Sequence, residues 1–484
     1  MTLTEPFLAA LRAAVGAEHV IREPERLRTY DCDGLTSWRA TPAAVVLPGS
    51  PTEVQAVVAA CAAHDVPFVA RGAGTGLSGG ALPVADGIVV SVARMDRILS
   101  LDIPGRRVVV EPGVANLDVT HAVAPHGLFY APDPSSQQVC TIGGNLAENS
   151  GGAHCLKNGF TANHITGATL VLPDAELVTL GGASLDQEGL DLLGVVVGSE
   201  GTLGIAVEIT LRVQRVPETV RTLLAAFHGL EAGGEAVSAI IGRGIIPAAI
   251  EMMDSLTIEA AEQAFHVGYP EGAGSLLLVE LDGIAAQVDE DAAEVERICR
   301  ACGAFEVRSA EGDAERALFW KGRKGAFPAM GRISPDYYVQ DGVVPRTRLP
   351  EVLRRIEELS REFGLRVGNV FHAGDGNLHP LVLYDAAAGE AARAKELAEA
   401  ILAVCIDVGG ALTGEHGVGV DKACSMPLMF SEQDLAVFAR LRLAFDPTGL
   451  ANPGKVLPTP RLCGEVPGPY RPHVLEVAGV ADRF

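Results

Sequence analysis

The chain has 484 residues, which at about 150 residues per domain suggests roughly three units and a core that needs no metal or disulfide to hold it. Hydrophobic residues make up 48% and charged residues 20%, a balance that excludes general disorder. Lys and Arg number 38 against 61 Asp and Glu, for a net charge of −23. That disfavours nucleic acid and anionic membrane as primary partners. The nine cysteines are widely scattered, as expected of a reduced cytoplasmic protein rather than a secreted disulfide scaffold. No secretory leader and no apolar run of about 18 residues is legible.

In chain order, residues 1–30 read as a short amphipathic helix and a lead-in. From 31 to 218, short β-branched runs (AVVLP, PFVA, GIVVSV, RVVVE, ATLVLP, IAVEITLRV) alternate with helices. Ser50-Pro51-Thr52-Glu53 is a capping-box sequence with Pro at the first helical position. Val54, Val57, Val58 and Cys61 then recur with helical spacing, and Pro67 bars continuation. Residues 219–425 read as a second α+β domain, with strand candidates TLLAAF, AAIEMM, SLLLVELDG, VGNVF and PLVLYD between helices. Two of those helices are clear, at 350–363 and 390–408. Residues 426–457 form a last helix and an Asn452-Pro453-Gly454-Lys455 turn, and 458–484 is a Pro-rich, extended tail.

Long glycine-rich stretches at 70–83 and 141–159 interrupt the first region, and loops of that length usually serve a function. Gly74 to Gly79 matches G-x-G-x-x-G, but Gly80-Ala81-Leu82-Pro83 follows and cannot open a helix, so the segment is not a Rossmann fingerprint. Read locally, it is either a plain glycine turn or a nest of inward N–H groups for an anion, with Arg71, Thr75 and Ser78 as further donors. Pro132–Ser136, Gly143-Gly144-Asn145, Asn149–Gly152 and Gly198–Gly204 add more Gly/Ser/Asn-rich backbone. Together they point to one extended ligand with many polar atoms.

In the second region, Asn369–Pro380 reads as a hairpin that brings His372 and His379 side by side. Two imidazoles with Glu415 make a sound ligand set for Zn, Fe or Mn, while the bland reading has the histidines satisfying turn backbones. In an extended Glu415-His416 pair, one side chain would meet metal and the other substrate. Arg323, on a predicted helix, is either a carboxylate clamp or part of a solvated basic face. Cys299-x-x-Cys302 lacks a thioredoxin context and reads as two half-buried thiols. Met252-Met253 reads as core, and no four-cysteine iron–sulfur pattern is present.

The segments RGAGTGLSGG, PDPSSQ, IGGNLAENSGG and GSEGTLG resemble the FAD-binding domain of the vanillyl-alcohol oxidase and p-cresol methylhydroxylase superfamily. GRISPDYYVQDGVVP, VFHAGDGNLHP, GEHGVG and AFDPTGLANPGK narrow the resemblance to the FAD-linked subunits of bacterial glycolate oxidases, over about residues 20–457. D-lactate and D-2-hydroxyglutarate dehydrogenases share the pattern. The resemblance implies an α+β fold with a two-part FAD-binding domain and an α+β substrate (cap) domain. It implies non-covalent FAD, with Arg71, Gly72, Gly74, Thr75, Gly76 and Ser78 around the pyrophosphate. Pro132, Gly143, Gly144, Asn149, Gly152, Glu200, Gly201 and Ile205 would lie along the rest of the cofactor, and Asn452 and Lys455 would return to it.

It further implies His372, His379 and Glu415 as ligands of a divalent metal, His416 as base and Arg323 as substrate clamp. Several relatives carry Asn where this chain has Leu381, and its loss suggests a small substrate. The implied reaction is oxidation of a small 2-hydroxy acid, glycolate, to glyoxylate. D-lactate or broader D-2-hydroxyacid oxidation is the alternative, and a flavin-free assembly subunit is the third reading. Implied partners are a second flavoprotein-like subunit, an iron–sulfur subunit and an acceptor such as quinone. Contact with the inner membrane would be peripheral, through those partners.

Overall fold

The computed structural model describes residues 3–184, 189–459 and 463, so most of the expected extended tail lies outside the described residues. Two compact units emerge. The first comprises Met1–Ser150, Phe160–Val216 and His416–Phe484; the second comprises Gly151–Gly159 and Pro217–Glu415. The second unit thus takes the short Gly151–Gly159 insert from within the expected 31–218 domain. The return to the first unit begins at His416, ten residues ahead of the expected boundary at 426.

The first unit has two main sheets. Ala44–Val46, Ile88–Ser91 and Phe68–Arg71 pair in parallel, with Val20–Ile21 antiparallel at the edge. The helix Pro51–His64 makes the crossover between parallel strands, which such pairing requires. It buries Val54, Val57, Val58 and Cys61 against Phe7, Leu8 and Leu11 of the N-terminal helix Glu5–Val15. Only half of the expected capping box forms. Ser50 accepts the Glu53 N–H, while the Glu53 carboxylate reaches past Ser50 to the Gly49 N–H at 2.7 Å. The second sheet is antiparallel, in the order Ile98–Asp102, Arg107–Val110, Ile205–Arg212, Ile165–Val171, Leu177–Gly181. Beyond the helix Glu432–Phe445, the chain runs beside the first sheet, where Phe68 and the Leu450–Asn452 segment exchange main-chain hydrogen bonds.

In the second unit, the five strand candidates all join one eight-stranded sheet. Alternation along its strands feeds two separate apolar layers. Leu277, Val279, Met252, Phe371, Leu378 and Val382 face one layer, which also takes Val352, Leu353, Ile356 and Leu359 of the helix Leu349–Phe363. Leu276, Leu278, Met253, Val370, Leu381 and Leu383 face the other, with Phe319 and Trp320 of the helix Asp313–Lys324. A sheet covered on both faces reads as near-continuous apolar runs, which is why these strands stand out in the sequence.

Cys424 and Cys463 form a disulfide, their Cα atoms 5.3 Å apart. The expectation of wholly reduced thiols therefore does not hold for this pair. Cys299 is fully buried rather than half-buried, and burial pushes its thiol up to about 12.

Candidate active site

Two strands of the second unit carry the histidines. Val367–His372 runs antiparallel to Asn377–Tyr384, in a register that sets Val370 opposite His379. His372 lies two residues beyond Val370, so its side chain shares the His379 face as a diagonal neighbour. The ring centroids are 5.2 Å apart, with the planes at 85°. Both Nε2 atoms converge on Oε1 of Glu415, at 3.2 Å from His372 and 3.3 Å from His379. Phe327 packs its edge on His379 at 5.7 Å, and both histidines are buried. One ligand atom from each of His372, His379 and Glu415 lies within 4.8 Å of the others. Two neutral imidazoles and a carboxylate on one centre are a donor set that a divalent cation fits.

Two acidic residues brace this trio, and the sequence reading singled out neither. Glu251 is opposite His372 on the neighbouring strand, Ala249–Asp254, and its Oε1 lies 2.7 Å from His372 Nδ1. Such a carboxylate fixes the ring orientation and leaves Nε2 to a ligand. Asp341 is wholly buried; it accepts the Thr413 hydroxyl at 2.6 Å and the N–H groups of Gly414 and Glu415 at 3.0 and 3.3 Å. It thereby holds the segment that carries Glu415. The only sequence signal for Glu251 was a lone acid in an otherwise apolar strand, AAIEMM. Burial lowers the affinity of the His372 ring for a proton. The Glu251 and Glu415 carboxylates more than reverse that, holding its pKa well above the usual imidazole range.

Arg323 is buried on its helix. Its Nη2 lies 2.5 Å from Oε2 of Glu251, and neither Nε nor Nη2 has an aligned hydrogen-bond acceptor among the described residues. A guanidinium in that state keeps directed donors for a carboxylate. Leu381 continues the His379 face two residues on and is wholly buried.

The glycine-rich loops, apart from Gly151–Gly159, belong to the first unit. Gly72 follows the strand Phe68–Arg71, where a Cβ would overlap Thr141 Oγ1 and lie 3.7 Å from the Gly144 nitrogen, so the first two loops touch there. Gly74 has φ +70° in space also occupied by the Arg71 guanidinium. Thr75 and Gly76 continue this loop, and Pro132 is buried in another. Thr141 caps the helix Ile142–Glu148, which contains Gly143 and Gly144. Asn149 ends it in a left-handed conformation, and its Oδ1 accepts the Ala162 N–H. Gly152 lies in the second unit. Glu200 and Gly201 both have positive φ, and Ile205 opens the following strand. Backbone of this kind, together with a buried Ser78 hydroxyl that has no hydrogen-bond partner among the described residues, fits a polyanionic cofactor.

Several of the expected cofactor residues also bond to protein. Arg71 donates to the Cys32 carbonyl at 2.8 Å. Asn452 Nδ2 donates to the carbonyls of Gly80 and Glu200, at 2.9 and 2.6 Å. Lys455 donates to the Leu82 carbonyl at 2.9 Å, and burial lowers its pKa to about 8. They brace the loops from behind.

A domain built around these loops, continuous in sequence with an α+β unit, is the organisation of an FAD-linked oxidoreductase. Residues 42–181 match an FAD binding domain, and residues 216–456 match the C-terminal domain of FAD linked oxidases. The glycolate oxidase subunit GlcD of Escherichia coli strain K12 is 50% identical over 95% of this chain and 92% of that protein. The Bacillus subtilis GlcD is 37% identical over 88% of this chain and 91% of that one. A D-lactate dehydrogenase of Archaeoglobus fulgidus is 32% identical, over 85% and 91% respectively. In fold, p-cresol methylhydroxylase with substrate bound superposes with a TM-score of 0.76 at 17% identity, covering 94% of this chain and 97% of that one. The chain belongs to the FAD-linked oxidases, in the family of the glycolate oxidase subunit GlcD. It is an FAD-linked oxidoreductase, and the expected fold class is borne out.

Proposed function

We propose that the chain oxidises glycolate to glyoxylate, using His416 as base, Arg323 as carboxylate clamp, and a divalent metal held by His372, His379 and Glu415. The observation that carries this reading is the convergence of both imidazole Nε2 atoms on one Glu415 oxygen, with Glu251 behind His372. The GlcD names of the most similar relatives support glycolate as substrate. Apolar Leu381 on the His379 face suits a small acid. When bound, FAD supplies a two-electron acceptor and the metal a Lewis acid.

The chain's own contributions are binding, orientation and proton transfer. Arg323 offers its Nε donor to the substrate carboxylate. His416 takes the hydroxyl proton, the general-base role an imidazole fills most often. Tight packing around His372 and His379 keeps water from competing for the ligand atoms. His154, the histidine within the second loop, packs beside Trp320 and meets Glu280 at 3.2 Å, which supports non-covalent FAD.

The GlcD relatives are named as subunits, which favours partner subunits here: one flavoprotein-like and one iron–sulfur protein, passing electrons to an acceptor such as quinone rather than NAD. Among the described residues no helix is long and apolar enough to cross a membrane, and we assign any membrane docking to those partners. A second reading, D-lactate oxidation, is favoured by relatives of that name at 32% and 33% identity.

Anaerobic mixing of the purified flavoprotein with glycolate, D-lactate and D-2-hydroxyglutarate, followed by flavin bleaching, decides between them. Fastest bleaching is expected with glycolate. Fastest bleaching with D-lactate selects the second reading, and no bleaching with any 2-hydroxy acid overturns both.

A further inference from the structure

The carboxylate of Glu200 is occupied by backbone from a distant segment. Its Oε1 accepts the Val418 N–H and its Oε2 the Gly419 N–H, each at 2.7 Å. Gly417, one residue earlier, has φ +88°; a Cβ there would overlap Glu148 Oε2 and lie 2.9 Å from Glu200 Oε1. That Glu148 oxygen is closed off from solvent and has no hydrogen-bond partner among the described residues. Val420 and Asp421 donate their N–H groups to the Ser78 carbonyl, at 3.1 and 3.2 Å. The Glu200 carbonyl meanwhile accepts from Asn452, which also holds Gly80. The peptide that follows His416 is thus tied to the GSEGTLG loop by one carboxylate and to the first glycine loop by one carbonyl.

We propose that Glu200 is a positioning residue for His416, its two oxygens fixing the 417–419 backbone so that the imidazole is held for proton abstraction. The inference rests on the reading of His416 as base. Here the two successive N–H groups each meet a separate oxygen of one side chain, an arrangement a carboxylate supplies and an amide, with its single oxygen, does not. Removing them orphans two buried donors and leaves a cavity beside Gly417. The segment can then shift by a fraction of its own width, and displacements near ~1 Å already lower turnover about 100-fold.

The test uses the holoenzyme with Glu200→Ala, Glu200→Gln, Gly417→Ala, the Glu200→Ala/Gly417→Ala double variant and His416→Ala. Glu200→Ala is expected to lower kcat about 10- to 100-fold, with KM for glycolate and FAD affinity within about threefold of wild type. Glu200→Gln keeps one acceptor and should fall between. The double variant should lose little more than the worse single one, because both break one clamp. His416→Ala should abolish turnover with FAD bound; full turnover there removes the base reading itself. If His416→Ala is inactive while Glu200→Ala keeps its kcat, the clamp alone is wrong. Loss of FAD from Glu200→Ala would assign Glu200 to the cofactor and overturn the proposal. Should Glu200→Ala fail to fold, Gly417→Ala and Glu200→Gln decide: unchanged kcat in both overturns it.

Discussion

Glu251 shows how a single side chain prepares a site. It is buried in a strand of apolar neighbours, and a carboxylate there persists only if charge and hydrogen-bonding partners meet it. His372 Nδ1 and Arg323 meet it from two sides. Glu251→Gln keeps the size and removes the charge, so His372 loses the partner that fixes its ring and Arg323 loses its counter-charge. Divalent-metal affinity is expected to fall about 10- to 100-fold, measured by metal titration of the apoprotein. The ligand trio itself was legible, because His372 and His379 are seven residues apart across an Asp-Gly turn. Glu251 was not, because it meets His372 from 121 residues away, and only strand pairing sets that contact.

Asp33 shows the opposite balance. Burial raises its pKa from 3.8 to about 6, against the Leu35 N–H and the Arg71 charge, which pull it down. As pH rises through that window, the unfolded chain has already released the proton while the folded chain still holds it. Stability from this group therefore falls between pH 4 and 6 and stays low above. Asp33→Asn keeps an oxygen for Leu35 and has no proton to lose. It is expected to be more stable than wild type at pH 7, by up to about 3 kcal/mol, and equally stable near pH ~3.5, as thermal unfolding at the two pH values would show. A gain of equal size at both pH values would refute this account.

At the level of elements, the histidine hairpin depends on its turn. Gly376 has φ +84°, and a Cβ would run into the Val344 carbonyl, with no flexible side-chain end to move aside. Its N–H closes the turn on the His372 carbonyl at 3.1 Å. Gly376→Ala therefore strains the backbone and displaces a wall. It is expected to destabilise the fold by about 1–3 kcal/mol and to weaken metal binding, because His372 and His379 flank that turn. Thermal unfolding combined with metal titration checks both. The strand Ser275–Gly283 coincides with a run visible in the sequence, and the helix Leu349–Phe363 starts one residue before the expected Pro350. Strand order was not visible. Val370 and Phe371 are both apolar, so local pattern cannot say which faces which layer. The register against Leu378 and His379 settles that.

Across the whole molecule, the chain divides its labour between the two units. Composition already disfavoured nucleic acid as a primary partner, and the glycine-rich segments pointed to loops around an extended polar ligand. Sequence order hid the fact that Gly151–Gly159 belongs to the second unit, because such a short insert carries no core of its own. It also hid the Cys424–Cys463 link, which depends on a tertiary approach of segments 39 residues apart. Every expected flavin-binding residue except Gly152 lies in the first unit, and all three proposed metal ligands lie in the second. The loops that fit FAD are braced by Asn452 and Lys455, and the histidine trio by Glu251 and Asp341. Stripping the metal should therefore leave the flavin in place. Dialysis against a chelator is expected to give a protein that stays yellow while turnover with glycolate falls at least about 100-fold, as loss of a Lewis acid worth several kcal/mol implies. Adding back Zn, Fe or Mn should restore it, with the metal that restores most identifying the physiological ion. Release of flavin together with the metal would mean that the two groups are not held independently, and full turnover in the metal-free protein would mean that the trio serves the fold alone.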